Sequence, residues 1–470
     1  MARLLGIDIG TSGCKTLLID EHGKVLAQAS AEYPLSTPRP LWSEQNPEDW
    51  WAGVQHCLAQ IGETPDAIGL TGQMHGAVFL DAADKVIRPA ILWNDQRTAA
   101  ECAEIDLNVQ PNRVREITGN PPLTGFQLPK VLWLRTHEPE NFRRVRSVLL
   151  PKDFIRMKLS GVKATDVSDA SGTGAFDVKK RTWSTELLEA VNLLPSLFPP
   201  AFESADVCAK TVGGVPIVAG GGDQAAGAVG TGAVVPGVTS VSLGTSGVVF
   251  TSLVEPRYDP GGAVHTFCHA NRAWHAMGVM LSCGGALRWF RDALAPGAAY
   301  DDLTAEAAGA PPGCDGLTFL PYLTGERTPY NDPDARAAWA GLTLSHQRAH
   351  LFRALLEGVT FGLCDGFEVL KTLGADASEL RVTSGGAKSR FWLQMIADVF
   401  NVPCVTLESD EGPAFGAALL AGVGVGEFAS LEAACSQTVR IRDRIEPSGV
   451  NYSPARDRYR SLYPSLKNWK

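Results

Sequence analysis

The chain lacks a basic excess: 42 Lys and Arg stand against 51 Asp and Glu, a formal net charge of −9. That excludes a general nucleic-acid binder, which needs a basic face. It also means that an anionic ligand must be held by local donors and metal rather than by the overall field. Ten cysteines contain no C-x-x-C pair, so neither a disulfide framework nor a zinc ribbon is expected, and reduced thiols in a cytoplasmic protein are the plain reading. The nearly uncharged run from Val212 to Leu253 carries one acid, many glycines, Pro216 and Pro236. It fails as a membrane helix and reads as buried strands with tight turns. The first residues, MARLLGIDIG, enter a strand pattern at once without a signal-peptide layout. The G-x-x-x-x-G-K-[ST] phosphate loop is missing too. What is present, 45% hydrophobic and 20% charged residues over 470 positions, is a globular composition too long for one core, and two large domains are expected.

The most informative stretch is Val218 to Gly232, VAGGGDQAAGAVGTG. A short apolar strand runs into three glycines, then Asp223, then a small-residue run suited to a closely packed helix. Three glycines carry a large entropic cost, justified where a ligand or another segment must come near the backbone. Asp223 is the one ionisable group between Lys210 and Glu255. A lone acid there is either solvated at a strand end or held for chemistry.

Leu4 to Asp20 reads as strand, Gly-Thr-Ser-Gly turn, strand, with a third strand from Lys24. Asp8 lies inside the first strand, where an acid needs a partner. Gly10, Thr11, Ser12 and Gly13 offer clustered N–H and hydroxyl donors of the kind that cradle phosphate, with Lys15 close by. The pattern returns at Val241 to Phe250, VSLGTSGVVF, 234 positions after Ile7, with Gly244, Thr245, Ser246 and Gly247 matching the first turn and Ser242 standing where Asp8 stood. Duplication accounts for this: two similar domains, 1–236 and 237–470, each presenting a hairpin to a shared cleft, hinged at Pro236-Gly237.

Asn46-Pro47-Glu48-Asp49 starts a helix, and Ala67 to Leu70 forms a strand. The loop after that strand, GQMHG, places Met74 and His75 where ligands sit in open α/β sheets. Trp93, Asp95 and Arg97 of ILWNDQRT suit either a polyol pocket or an interdomain salt bridge. His265, Cys268, His269 and His275 fall on a hairpin turning at Asn271-Arg272, with alternation separating Cys268 from His269. Phe319 to Pro333, FLPYLTGERTPYNDP, is a long irregular loop holding Glu326 and Arg327. Ser345 is expected to cap a core helix. Arg381 to Asp398 is strand, Ser-Gly-Gly-Ala turn and helix, a ready place for a nucleotide, and Glu411 to Ala421 is a small-residue helix expected to pack behind that turn. The tail from Arg440 to Lys470 reads as a capping surface helix.

Taken together these segments resemble the FGGY carbohydrate kinases across the whole chain. Ala337 to Glu357, AAWAGLTLSHQRAHLFRALLE, is similar to the C-terminal signature of that family, and Lys130 to Leu134 resembles the N-terminal one. GQMHG, LWNDQRT, GGGDQAAGAVGTG and LTGERTPYNDP look most like the members that phosphorylate D-xylulose. Glycerol-specific members usually carry Arg-Glu where Met74-His75 stand. Gln224 departs from a common Asn, which leaves the exact sugar open.

The resemblance implies an α/β fold of two duplicated actin/hexokinase-like (ribonuclease H-like) domains around an interdomain cleft. It implies an enzyme, a phosphotransferase with an alcohol group as acceptor, converting D-xylulose and ATP to D-xylulose 5-phosphate in pentose catabolism. The implied catalytic base is Asp223. Met74, His75, Asp223 and Gln224 would line the sugar site. Thr11, Ser12, Lys15, Gly244, Thr245, Gly385, Gly386 and Ala387 would hold the nucleotide, and Asp8 would hold Mg²⁺. Neither a membrane nor a nucleic acid is implied as partner, and a homodimer is left open. The competing readings are a kinase for L-ribulose, fuculose or gluconate, and a non-catalytic actin-like ATP-binding module.

Overall fold

The computed structural model describes residues 2–409 and 411–468. Two sheets of seven strands organise it. In the first, β1 (Leu4–Ile9), β2 (Gly13–Ile19) and β3 (Val25–Glu32) form an antiparallel meander. Helix α1 (Pro47–Ile61) then crosses to β4 (Ala67–Gly72), which lies parallel to β1. The α1 start is as its sequence predicts: Pro47 is its first residue and the Asn46 side chain accepts from the Glu48 N–H. Trp50, Val54 and Ile61 are buried on one face of α1, each contributing roughly 2 kcal/mol of transfer free energy. β5 (Val207–Lys210), β6 (Pro216–Val218) and the short β7 (Gly221–Gly222) complete the sheet in the order β5-β6-β4-β1-β2-β3, with β7 also beside β4.

Helix α2 (Asp223–Thr231) follows β7 directly. The second sheet is built from β8 (Gly237–Leu243), β9 (Gly247–Leu253), β10 (His265–Cys268), β11 (Trp274–Met280), β12 (Ala377–Thr383), β13 (Cys404–Leu407) and β14 (Ile441–Ile445), in the order β10-β11-β9-β8-β12-β13-β14. The duplication is real at the level of pairing. β1 pairs antiparallel with β2 and parallel with β4, and β8 repeats this with β9 and β12. Asp8 lies opposite Thr71 and Ser242 opposite Thr383. The two turns differ, however. Ile9 pairs with Cys14 around residues 10–13, whereas Leu243 pairs with Gly247 around residues 244–246. The second turn is one residue tighter, so the match of Gly13 with Gly247 slips across it.

Around the second sheet lie α3 (Gly284–Leu294), α4 (Arg348–Thr372), α5 (Arg390–Phe400) and α7 (Ser453–Leu466), while α6 (Gly412–Gly424) follows β13. The N-cap of α4 is Gln347, paired reciprocally with His350, and not Ser345. The tail first adds strand β14 to the sheet and only then becomes α7; Trp469 and Lys470 lie outside the described residues. The largest departure is α6. It does not pack behind the Ser-Gly-Gly-Ala turn but reaches into the first half, against α2, β1 and β4. A Cβ at Gly69 would stand 1.8 Å from the Ala417 carbonyl oxygen, and one at Gly416 1.8 Å from that of Ala226. Only glycine lets these backbones touch. Phe415, Leu419 and Leu420 close a core with Leu4, Leu17, Val218 and Val229, so the segment bearing Asp223 is wedged between both halves of the chain.

Candidate active site

Asp223 is the first residue of α2, with Gly222 as N-cap. Asp8 on β1, Thr71 on β4 and Gly221 on β7 sit at one level of the sheet, which sets the backbones of Asp8 and the Asp223 segment about two strand spacings, ~10 Å, apart. Burial lifts the Asp223 carboxyl from 3.8 to about 6, against backbone and side-chain hydrogen bonds from Gln224 that hold it down. Asp8 is lifted to about 7 by burial and then by repulsion from Asp223, with Lys15 pulling the other way. Two carboxylates that repel each other across a desolvated cleft make this the candidate centre of the chemistry.

Two glycines of the triplet answer the close approach of other segments. Gly220 has φ +77, and a Cβ there would lie 1.9 Å from the Leu70 carbonyl oxygen; one on Gly222 would meet Met74 Cγ at 2.8 Å. The glycines seat the turn on β4 and on Met74. A buried polar scaffold, not evident in the sequence, fixes the turn from behind. The Arg156 guanidinium donates to the Ala219 carbonyl. The Gly222 N–H donates to Ser168 Oγ at 3.1 Å, and Ser168 Oγ donates to Asp166 at 2.5 Å. Lys152 Nζ reaches Asp153, Asp166 and Asp169 at 2.6, 2.9 and 3.4 Å. Lys152, Arg156 and all three aspartates are fully buried.

Met74 and His75 follow β4, as the strand-end rule predicts. His75 has φ +69, and its Nδ1 donates to the Gly172 carbonyl at 2.5 Å. Burial holds its ring down to about 3, so it is neutral and offers Nε2 as an acceptor. The backbone carbonyl of His75 accepts from Lys130 Nζ at 2.8 Å, giving this signature lysine a supporting role that its sequence position did not disclose.

The first hairpin is held by residues that sequence reasoning missed. Gln45 Nε2 donates to the Thr11 carbonyl at 2.7 Å, and Tyr33 Oη donates to the Gly10 carbonyl at 2.5 Å. Gln73 Oε1 accepts from Thr11 Oγ1 at 3.2 Å, and Trp93 Nε1 donates to that hydroxyl at 2.9 Å. Ser12 is exposed and Thr11 half-buried. Lys15 forms an ion pair with Glu411, just ahead of α6. The Asp8 Oδ1 atom is buried with no hydrogen-bond partner. Asp95 and Arg97 form a buried local ion pair, with Arg97 also on Glu44 and stacked 3.6 Å over Trp42. They are neither a polyol pocket nor an interdomain bridge. Cys268 and His269 are buried, His269 with Nε2 on the Ala233 carbonyl and Nδ1 accepting from the Ala270 N–H.

On the other side lies a cavity of about 570 Å³ lined by Gly244, Thr245, Arg288, Tyr300, Gly385, Gly386, Lys388 and Trp392, among others. Ala387 turns instead toward the apolar core of the second half. Ser242, at the Asp8 position of the repeat, bonds Ser384 at 3.0 Å, so the second hairpin carries no acid. The cavity is of nucleoside size.

Two family models match this chain: the N-terminal domain of the FGGY family of carbohydrate kinases over residues 3–230, and the C-terminal domain of the same family over residues 239–425. The chain belongs to the FGGY family of carbohydrate kinases. This kinase is 42% identical to the xylulose kinase of Escherichia coli K12 over 98% of the chain and 99% of that protein. It superposes with a TM-score of 0.94 on a crystal structure described as a xyloylose kinase from Brucella ovis, at 39% identity and with both chains fully covered. The gluconokinase of Bacillus subtilis strain 168 lies further out, at 32% identity over 99% of this chain and 95% of its own. The kinase is therefore a sugar phosphotransferase with ATP as donor, on the actin/hexokinase-like fold, and the non-catalytic reading is set aside. Among the described residues no helix is long and apolar enough to cross a membrane.

Proposed function

We propose that this kinase phosphorylates D-xylulose on its 5-hydroxyl, giving D-xylulose 5-phosphate in cytoplasmic pentose catabolism. The observation that carries the proposal is Asp223: a half-buried, desolvated carboxylate at the carboxyl end of the sheet, next to the Gly222 that packs on Met74 and repelling Asp8. With its carboxyl near 6, Asp223 is mostly ionised at neutral pH and accepts the proton of the sugar hydroxyl while aiming it. Phosphoryl transfer needs placement more than basicity, so the Arg156 and Ser168 bonds to the turn are part of the catalytic apparatus. Met74, His75 and Gln224 complete the sugar site. Thr11, Ser12 and Lys15 clasp phosphate oxygens from one side and Gly244 and Thr245 from the other, with Gly385 and Gly386 along the nucleoside. Domains 1–236 and 237–470 close on this cleft and exclude water.

Asp8 fits a divalent cation: its orphaned Oδ1 is an unused hard donor, and no cluster of three metal-ligating side chains exists among the described residues. Mg²⁺ suits such a site because it takes few protein ligands and keeps water and phosphate oxygens; when bound it neutralises β- and γ-phosphate charge. A second reading, a kinase for another ketose or a sugar acid such as gluconate, is favoured by Gln224. The test is a coupled ADP-release assay over D-xylulose, L-ribulose, fuculose, polyols and gluconate. D-Xylulose is expected to give the highest kcat/KM, and Asp223→Ala is expected to abolish turnover while sparing ATP binding. Near-normal turnover in Asp223→Ala would overturn the assignment.

A further inference from the structure

Among the described residues the Arg327 guanidinium makes no ion pair, and its one side-chain hydrogen bond runs from Nη1 to His265 Nε2 at 3.4 Å. Its neighbour Glu326 is turned away: Oε1 accepts from the Leu281 and Arg327 N–H groups at 3.0 and 2.8 Å, and Oε2 is buried without a partner. Burial raises that carboxyl to about 8, against backbone hydrogen bonds and the pull of the Arg327 charge, and neither of its oxygens bonds the guanidinium. Burial also pulls Arg327 itself below its ordinary value. A desolvated cation without a counter-charge is costly.

The histidine holding it is fixed in one tautomer. Asn120 Nδ2 donates to the Thr118 and Thr266 carbonyls, both at 2.9 Å, so its Oδ1 faces His265 Nδ1 at 2.8 Å. Nδ1 therefore carries the proton, and Nε2 is bare to accept one Arg327 N–H. The other guanidinium donors remain for a ligand, and Arg327 is half-buried rather than sealed.

Its location is also informative. Met74 packs on Gly222 beside Asp223. The His75 ring lies 4.8 Å from Phe126, Phe126 lies 6.3 Å from His265, and His265 meets Arg327. The Met74-His75 loop thus borders the Asp223 segment at one end and, through Phe126 and His265, Arg327 at the other. Arg327 is near enough to act electrostatically on the His75 ring.

We propose that Arg327 is a specificity residue that binds the end of the acceptor remote from the transferred phosphate, and that its free fork lets the site take a five-carbon aldonate, whose C1 is a carboxylate, in competition with the ketose. This rests on the sugar-site reading above. A guanidinium matches carboxylate geometry with two parallel bonds, which a neutral hydroxymethyl group cannot reproduce.

The test measures D-xylonate binding by calorimetry to the wild type and to Arg327→Met, independent of turnover, alongside steady-state kinetics on whichever sugar the wild type phosphorylates. D-Xylonate is expected to bind the wild type and to compete with that sugar, and Arg327→Met is expected to weaken it by about 30-fold or more. The sugar KM should rise about tenfold, with kcat within a few-fold and the ATP KM unchanged. Arg327→Lys, which keeps the charge without the fork, should retain part of the D-xylonate affinity, and it carries the test should Arg327→Met melt early. Absence of D-xylonate binding to the wild type, or equal binding to wild type and a folded variant, overturns the proposal. A wild type that ignores D-xylulose but binds D-xylonate in an Arg327-dependent way refutes the xylulose assignment and leaves this one standing.

Discussion

Replacing Asp223 by Asn should make the kinase inactive and more stable at once. The carboxyl is displaced from 3.8 to about 6, chiefly by burial. Holding it ionised above pH 6 therefore costs the native state about 3 kcal/mol. Asn keeps an oxygen to accept from Gln224 but forfeits the extra strength of a charged acceptor, roughly 1 kcal/mol. It also forfeits an acid at a helix N-terminus, about 0.5 kcal/mol. The net gain is about 1–2 kcal/mol at pH 7.5. With about 2.1 cal/mol/K of unfolding entropy per residue and half the chain melting together, that is a rise of roughly 2–4 °C.

The sign with pH follows from linkage. A carboxyl with a raised folded value destabilises the native state above that value, and the penalty fades as pH falls from about 6 toward 3.8. The charge penalty should shrink from about 3 to about 1.6 kcal/mol at pH 5, so Asn loses its advantage there. Calorimetry on wild type and Asp223→Asn at pH 7.5 and 5.0, with ADP release as the activity readout, checks each step. A variant less stable than wild type at pH 7.5, or a melting difference that grows on acidification, would refute the reasoning. Turnover above a hundredth of wild type would refute the catalytic role.

Turnover of the wild type should itself fall as pH drops through about 6, because protonated Asp223 cannot accept the hydroxyl proton; a flat kcat/KM profile down to pH 5 would contradict this. Gly416→Ala places a methyl 1.8 Å from the Ala226 carbonyl oxygen and should cost about 3 kcal/mol as the wedge of α6 is forced out, read by urea unfolding. Lys152→Met leaves Asp153, Asp166 and Asp169 buried without their cation and should cost about 3–5 kcal/mol, visible as a melting loss or as insoluble protein. Lys15→Ala should raise the ATP KM several-fold, whereas Glu411→Gln, which releases Lys15 from its partner, should leave it unchanged or lower it; an ATP KM that rises equally in both would show that the ion pair, not the free lysine, matters.

The glycine-rich hairpins, the small-residue run after Asp223 and the loop bearing Met74 and His75 were legible because each is local. A turn needs glycine within a few residues, and a strand end is marked by where apolar periodicity stops. Asp95 and Arg97 were equally visible yet misread, because Asp95 accepts from Arg97 two residues on and from the Ser43 N–H, while Arg97 turns toward Trp42 and Glu44, far earlier in the chain. Residue type announced polarity there but not direction. Gln45, Gln73 and Tyr33 hold the first hairpin across 23 to 63 positions, and no pattern announces a single hydrogen bond at such a range.

By itself, then, the chain determined its strands, its repeat, the one acid that the repeat does not duplicate and the loop bearing Met74 and His75, since these are set by backbone freedom and by where apolar runs end. Tertiary structure alone decided what those parts lean on. Gly220 and Gly222 let the turn sit against β4 and Met74. A helix from the second half locks the Asp223 segment through Gly416 and Gly69. A fully buried set of charges around Lys152 backs the turn, and Arg327 is left hydrogen-bonded to His265 with no ion pair among the described residues. Each of these is a matter of which groups meet after long loops close, and burial then sets their energies.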